Sequence, residues 1–349
     1  MVQEACGNIK NRMYRLSLDV STVFCGLRYV RCHSPIIPIM SNSLYKYVGA
    51  SYLDKVFSDA GHTTIKCSYP KDFNDPYELF LTIDFKEEPD ALAFYQEAIG
   101  NLPQLPTTCF SRSPAIVPMW AHYAQNSKGV VVELDEEALV VAFPESGFGD
   151  IEYQDKPHDG LTDTLHRAHQ IGKPRYVFLL NRGVFSAAYF TKTTSWAYEL
   201  ERRMLVRDSE IRRDGNLLLA DVPRNCISSL IVGPRASDDT KRIVRDRSEE
   251  LGCRYFEMRI GRSSANPFFL DRSGLPHTFD GSQLIESAQY CRTCQEPLAH
   301  EGEECSWCRI EDSHRNDAAS RNPYRMLHHH GMLQSYIQDM DAIGRGDKK

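Results

Sequence analysis

Apolar and polar positions repeat with two different periods along the chain, which predicts a mixture of strands and helices. Short runs rich in β-branched and aromatic residues, such as LYKYV, TTCFS and GVVVELD, have the composition of strands. Segments such as PDALAFYQEAIG and DDTKRIVRDRSEELG begin with proline or acidic residues and end at glycine, as helices do. Strands and helices do not alternate strictly. We therefore predict an α+β domain over residues 40–262, with a mixed or split β-sheet core and peripheral helices.

The pattern changes on both sides of this domain. Residues 1–39 show no sustained period, and they are either a loose extension or over-long start, or an extra element packed on the domain. Residues 263–290 are rich in proline, glycine and serine, which predicts a linker. Residues 309–349 predict a polar linker followed by a C-terminal amphipathic helix.

Composition narrows the class of protein. The chain has 349 residues, of which 42% are hydrophobic and 25% charged, as expected of a soluble globular protein with a sizeable core. The net charge of -6 argues against nucleic-acid binding driven mainly by electrostatics. No apolar run approaches the roughly 20 residues that cross a bilayer, and no segment has the form of a signal peptide. We expect a cytoplasmic protein without a membrane partner.

Four of the 11 cysteines form two C-x-x-C pairs, CRTC and CSWC. Each pair can place two thiolates on one turn, and two facing turns complete the tetrahedral site that zinc prefers. We predict a zinc ribbon over residues 291–308 in which all four ligands are thiolates, so that the zinc is structural. Trp307 is expected to cap its small core. Disulfides or a redox pair are the alternative, which a reducing cytosol disfavours. The predicted ligands are Cys291, Cys294, Cys305 and Cys308.

Several short motifs between residues 40 and 260 together resemble a bacterial domain family of unknown function. In chain order they are LYKY, FNDPYE, CFS, MWAHYA, KG and WAYELERR. The resemblance implies a protein from an accessory locus of the defence or toxin type, and it assigns no activity.

The same motifs are distantly similar to the ADP-ribosyltransferase fold, which binds NAD between two small sheets. That similarity implies NAD as a cofactor and a macromolecule as the acceptor. It places the first-strand binding position on Lys46, with Tyr45 as a neighbouring aromatic, and the middle-strand position on Ser111. The catalytic glutamate would be Glu199 or Glu201. Lys46 stands where many relatives have histidine, and its amine can donate to a ribose hydroxyl or a phosphate.

The segment WAYELERR carries the candidate catalytic pair. In a strand, Glu199, Glu201 and Arg203 share one side, whereas in a helix the two glutamates diverge. The alternation favours a strand over residues 196–205, with its acidic side facing a cleft. In that position a glutamate can grip a ribose diol or stabilise positive charge as a glycosidic bond breaks. The alternative is that both glutamates are structural and form ion pairs with Lys192, Arg202 or Arg203.

Three functions follow from these observations. The first is an NAD-dependent ADP-ribosyltransferase-like enzyme that acts on a macromolecule. The second is a non-catalytic, zinc-containing binding or sensor protein whose ribbon contacts protein or nucleic acid. The third is a metal-dependent nuclease in which Asp75 and the two glutamates hold a divalent ion.

Overall fold

The computed structural model describes residues 42–59, 61–79 and 82–345. The chain divides into two units, one made of residues up to 273 with 277–285, and the other of residues 274–276 with those from 286 onward. The predicted extension over residues 1–39 lies outside the described residues. The prediction of an α+β fold is confirmed, as the following elements show.

Strands occupy most of the runs that the apolar pattern selected. Their bounds are β1 Ser43–Val48, β2 His62–Cys67, β3 Thr107–Ser111, β4 Val130–Asp135, β5 Gly147–Asp150, β6 Glu152–Tyr153, β7 Thr191–Lys192, β8 Glu201–Leu205, β9 Arg212–Asp214, β10 Leu217–Pro223, β11 Ile227–Val232, β12 Arg254–Arg259, β13 Phe268–Asp271, β14 Pro276–Phe279 and β15 Leu284–Glu286.

Helices begin and end at the residue types that the sequence indicated. Pro89 opens one helix, and the side chain of Ser237 caps another by accepting from the Thr240 N–H. The bounds are α1 Leu53–Val56, α2 Pro89–Ile99, α3 Val117–Tyr123, α4 Glu136–Ala142, α5 Asp159–Ile171, α6 Pro174–Phe190, α7 Asp238–Leu251, α8 Asp312–Arg321, α9 Pro323–His329 and α10 Leu333–Gly344.

One ten-stranded sheet organises the first unit, in the order β15-β14-β13-β12-β11-β4-β1-β3-β8-β5. Strand β1 pairs antiparallel with β3 and with β4. Strands β11 and β12 pair in parallel and are joined by α7, as the strand-helix-strand pattern of the sequence predicts. A three-stranded sheet, β2-β10-β9, and a two-stranded sheet, β6-β7, complete the topology.

The inner strands of the large sheet are buried on both faces. Because successive side chains of a strand point to opposite faces, Leu44 and Val132 join one apolar cluster while Tyr45 and Val131 join another. The first cluster also contains residues of α1, α4 and α7, and the second contains Trp120 of α3. This division fixes which side chains of β1, β3 and β8 can meet.

Two sequence predictions about the C-terminal part are wrong. Residues 263–290 do not form a simple linker, because β13, β14 and β15 lie there and extend the large sheet beyond β12. Their runs are only three or four residues long and are interrupted by turn-forming residues, so the composition resembled that of a linker. The described part of the range 309–349, which ends at residue 345, contains three helices rather than one.

Gly129 lies against the backbone of Val48 and Gly49, which leaves no room for a side chain at this position. A Cβ atom at this position would lie 2.0 Å from the carbonyl oxygen of Val48 and 3.0 Å from the Cα of Gly49. Since neither contact can be relieved by rotating a side chain, we expect Gly129→Ala to lower the free energy of unfolding by about 2–3 kcal/mol. Gly160→Ala is the matched control, because its Cβ would meet nothing within 4 Å.

Chemical denaturation followed by circular dichroism measures both variants. The control is expected to match the wild type or to gain up to about 1 kcal/mol from the better helix propensity of alanine. Equal stability of the two variants would contradict the assignment of Gly129 to a close approach.

Candidate functional site

The segment WAYELERR folds as two elements rather than as one strand. Residues Thr194–Glu199 form a 3-10 helix, Leu200 is left-handed with φ 46°, and β8 begins at Glu201. The Leu200 N–H donates to the Ala197 carbonyl at 3.3 Å, which closes the helical turn before the chain enters the sheet. The prediction of an extended backbone is therefore correct for residues 201–205 and wrong for the part before Leu200.

Arg203 is the centre of a buried charge network, and its side chain is 0% exposed. Its terminal nitrogens donate to the two carboxylate oxygens of Glu78 at 2.6 and 3.0 Å. Its Nε donates to Glu201 at 2.6 Å, and a further N–H reaches the Tyr189 carbonyl at 2.9 Å. Such charge-assisted, two-pronged bonds are among the strongest that a guanidinium forms. Arg203 thus ties the loop that carries Glu78 to β8.

Lys192 extends this buried network from Glu201 to Glu199. Its Nζ lies 3.1 Å from Glu201 and 2.6 Å from Glu199, and 4.6 Å from the centre of the Trp196 ring. The second oxygen of Glu199 accepts from the Tyr123 hydroxyl at 2.7 Å. Three carboxylates and two cations therefore form one continuous group.

The charges in this network shift one another's ionisation. Burial disfavours the charged form of Glu201, but Arg203 and Lys192 outweigh burial and lower the pKa of Glu201 to about 2. Burial also disfavours the charged form of Lys192, yet Glu201 and Glu199 raise its pKa above the usual lysine value. The pKa of Glu78 is raised, because burial there outweighs the attraction of Arg203. Glu201 and Lys192 are thus a charged pair at neutral pH.

Both predicted catalytic glutamates are engaged in ion pairs within the protein. The side chains of Glu199 and Glu201 are 4% and 3% exposed, and both bind Lys192. A carboxylate that acts on a substrate must reach it, and in this structure each one faces a protein cation instead. The structural interpretation of the two glutamates fits this geometry better than the catalytic one.

The predicted NAD-binding residues do not all lie on the same face of the sheet as Glu201. Ser111 is close, since its hydroxyl donates to the Glu199 carbonyl at 2.7 Å. Tyr45 is opposite Ser111 in the sheet, but its hydroxyl donates to the Glu133 carboxylate at 3.3 Å. Lys46 follows Tyr45 and so points to the opposite face, where its Nζ lies 5.7 Å from the centre of the Phe110 ring.

Sequence reasoning named Lys192 and Arg203 as ion-pair partners of the two glutamates, but it missed Glu78 as a member of this network. In the same motif as Glu78, Asp75 stabilises a turn by accepting from the Tyr77 N–H at 2.9 Å. Lys192 was weighed only as one of several basic neighbours. Glu78 in FNDPYE and Arg203 in WAYELERR are 125 residues apart in the chain, so only the fold reveals that they pair.

The stretch that contains Tyr123, Lys192 and most of this network also has a family match. Residues 119–204 match DUF2971, a family described as a protein of unknown function. The predicted resemblance to a domain family of unknown function is thereby confirmed over the DUF2971 segment. Glu78 lies outside that segment, although it is bound to Arg203 within it. No curated protein and no solved structure matches this chain, and the similarity to ADP-ribosyltransferases is not confirmed.

The four clustered cysteines form a second candidate site, in the second unit. Cys291, Cys294, Cys305 and Cys308 bring their sulfur atoms within 4.8 Å of one another. The sulfurs of Cys294 and Cys305 are 3.8 Å apart. Tetrahedral zinc with Zn–S bonds of about 2.3 Å separates its sulfur ligands by about 3.8 Å, so the donor set fits that ion. The four cysteines can therefore bind a metal ion.

Backbone bonds form the two turns of this cysteine cluster. The Gln295 N–H donates to the Cys291 carbonyl at 2.7 Å, and Gln295 is left-handed with φ 63°. The Cys308 N–H points at the Cys305 sulfur at 3.4 Å, and the Arg292 N–H joins the two halves through the Glu303 carbonyl at 2.9 Å. Trp307 does not cap this small core as expected, because its side chain is 60% exposed.

Within residues 42–59, 61–79 and 82–345, no helix combines the length and the apolar character that crossing a bilayer requires.

Proposed function

We propose that the chain is a non-catalytic, zinc-containing binding or sensor protein. The observation that carries this proposal is the closed charge network, in which Glu199 and Glu201 share Lys192 and Glu201 also binds Arg203. A buried and fully paired set of charges supports a defined fold rather than turnover. In this proposal the first unit is a rigid scaffold, and the second unit, which contains the cysteine cluster, binds the partner.

Zinc is the ion that suits the four thiolates of the cysteine cluster. With all four ligands supplied by the protein, no position is left for a substrate, as in structural zinc sites. When bound, the ion supplies folding energy to a segment with little apolar core. Residues of the two turns hold and orient the sulfurs. A reducing compartment such as the cytoplasm suits these thiols. The partner would be a macromolecule, protein or nucleic acid.

An NAD-dependent ADP-ribosyltransferase is the second candidate, and the approach of Ser111 to Glu199 favours it. This activity requires the charge network to open, so that a carboxylate separates from Lys192 and contacts NAD. A metal-dependent nuclease has less support. Among the described residues, the one group of three or more potential ligands close enough to hold a metal is the cysteine cluster, and Asp75 is occupied in its turn.

Incubation of the full chain with NAD distinguishes the two leading candidates. We expect no nicotinamide release above the blank, with or without added proteins and nucleic acids, while an authentic ADP-ribosyltransferase releases it in the same assay. Circular dichroism confirms that the protein is folded. Release by the wild type that disappears in a folded Glu199→Gln variant would overturn the non-catalytic proposal.

A further inference from the structure

The helices that follow the cysteine cluster bury none of their side chains, since no residue of α8, α9 or α10 is buried. Helices α9 and α10 are joined by a turn at Gly331, which is left-handed with φ 70°. We call residues 323–344, which comprise these two helices and their turn, the C-terminal hairpin. Helices of seven and 12 residues are marginal in water unless an apolar face packs against another surface. The hairpin therefore needs a partner surface.

Large apolar side chains give the C-terminal hairpin one continuous surface. Along α10, Tyr336, Met340 and Ile343 follow one another at spacings of four and three residues, so they lie on one side of the helix. The rings of Tyr324 and Tyr336 have their centres 6.0 Å apart, which makes the apolar residues of α9 and α10 neighbours. Six such side chains are between 40% and 67% exposed: Tyr324, Met326, Met332, Tyr336, Met340 and Ile343.

The size and composition of this surface are those of a protein–protein interface. Tyrosine and methionine are enriched at interfaces, and exposed apolar patches of more than a few hundred Å² mark interaction sites. Six half-exposed side chains present on the order of 500 Å², because a large side chain such as tyrosine has about 150–250 Å² to bury. The half-buried Leu327, Leu333 and Ile337 add to this area. The total approaches the roughly 800 Å² that each partner buries in a stable interface.

The charges of the C-terminal hairpin are separated by helix. Helix α9 contains Arg325 and two histidines and no acidic residue, whereas α10 contains Asp339 and Asp341 and no basic residue. Among the described residues, no ion-pair partner lies within 4.0 Å of the Arg325 guanidinium or the Asp341 carboxylate. In a two-fold pair, α9 of each copy can lie against α10 of the other, so that a basic helix meets an acidic one twice. The surface is thus complementary to itself.

We propose that the C-terminal hairpin is a dimerisation surface, and that its partner is the hairpin of a second copy of this chain. A partner surface of one charge sign would suit only one of the two helices, whereas a second copy suits both. The pairing also closes on itself, because a two-fold interface uses the same residues on both sides. This inference goes beyond the partner binding proposed for the cysteine cluster and does not depend on it.

Sedimentation velocity of the full, zinc-loaded chain tests this assignment. We expect twice the chain mass at about 100 µM and dissociation on dilution. In Met340→Glu the dissociation constant should rise at least about ten-fold, because two-fold symmetry places the added carboxylate in the apolar interface twice. Val141→Glu is the matched control, since Val141 is 80% exposed but lies in α4 of the first unit. The control should dimerise like the wild type, and circular dichroism verifies that both variants are folded.

A charge exchange tests which helices meet. Arg325→Glu should weaken the dimer at low ionic strength, and adding Asp341→Arg should restore it, because the exchange returns opposite signs to the two helices. A wild type that remains monomeric at about 100 µM would overturn the proposal, and so would a dimer that Met340→Glu leaves unchanged. A monomer whose α9 and α10 amides are protected from hydrogen exchange would show that the hairpin packs on its own chain instead. A double variant as weak as Arg325→Glu would contradict the pairing of α9 with α10 of the second copy.

Discussion

Replacing Arg203 with methionine is expected to lower the free energy of unfolding by about 3–5 kcal/mol, the cost of removing one partner from a buried ion pair. The change leaves Glu78 without a cation and leaves Glu201 with Lys192 alone. Two carboxylates would then face each other in an interior from which water is excluded. Urea denaturation of the purified variant measures the loss.

The matched control is Arg213→Met. Arg213 also pairs with a carboxylate, Asp208, at 2.9 Å, but their side chains are 55% and 75% exposed. Exposed pairs contribute about 0–1 kcal/mol, so this variant should resemble the wild type. Losses of similar size in the two variants would show that the buried network does not hold the fold together.

The loss caused by Arg203→Met should also depend on pH. The pKa of Glu201 is about 2 in the folded chain and about 4.3 when unfolded, so its stabilising contribution is present above pH 4.3 and is lost as pH falls through 2. A difference of this size corresponds to about 3 kcal/mol. The stability gap between wild type and variant should therefore shrink between pH 7 and pH 3. A gap that is constant over this range would contradict the lowered pKa.

Removing the metal ion, or one of its ligands, is expected to unfold the cysteine cluster while leaving the large sheet intact. Zinc-finger peptides gain about 10–16 kcal/mol from zinc at neutral pH, far more than this segment can gain from apolar contacts. In Cys291→Ser the amide protons of residues 291–309 should lose their protection from hydrogen exchange. Those of β1 and β4 should keep theirs. Metal analysis should show that the bound zinc is gone.

Cys253→Ser is the control for this prediction. Cys253 is a half-buried free thiol in the first unit, outside the cysteine cluster. The control should keep its zinc and the protection of residues 291–309. Zinc retained in full by Cys291→Ser, or unchanged exchange in that variant, would contradict a site made of four thiolates.

Much of the fold follows from local sequence patterns. The elements that the sequence did not predict show why the rest of the fold does not follow in this way. LYKYV and GVVVELD are long, apolar and bounded by turns, and they became β1 and β4. The short strand β15 has three residues and needs β14 beside it, so nothing local could reveal it. In WAYELERR, the alternation of side chains hid a turn at Leu200, a residue that rarely adopts φ 46°.

The two candidate sites also differ in how far the sequence predicts them. Spacing alone fixed the cysteine cluster, because four ligands within 18 residues leave little freedom. The charge network could not be found in this manner, since Glu78 and Arg203 meet only after β8 pairs with β3. Lys46 was singled out through a resemblance, but only the register of β1 shows that it faces away from the glutamates.

The strands beyond β12 bear on where this polypeptide can be shortened. A fragment ending at residue 262, where the composition first turns polar, would lack β13, the antiparallel neighbour of β12. The N–H and C=O groups on that side of β12 would then form an open edge, which invites aggregation through pairing with other chains. Phe269, buried at 0% exposure, would be lost from the interior as well. A self-sufficient fragment must extend past β15.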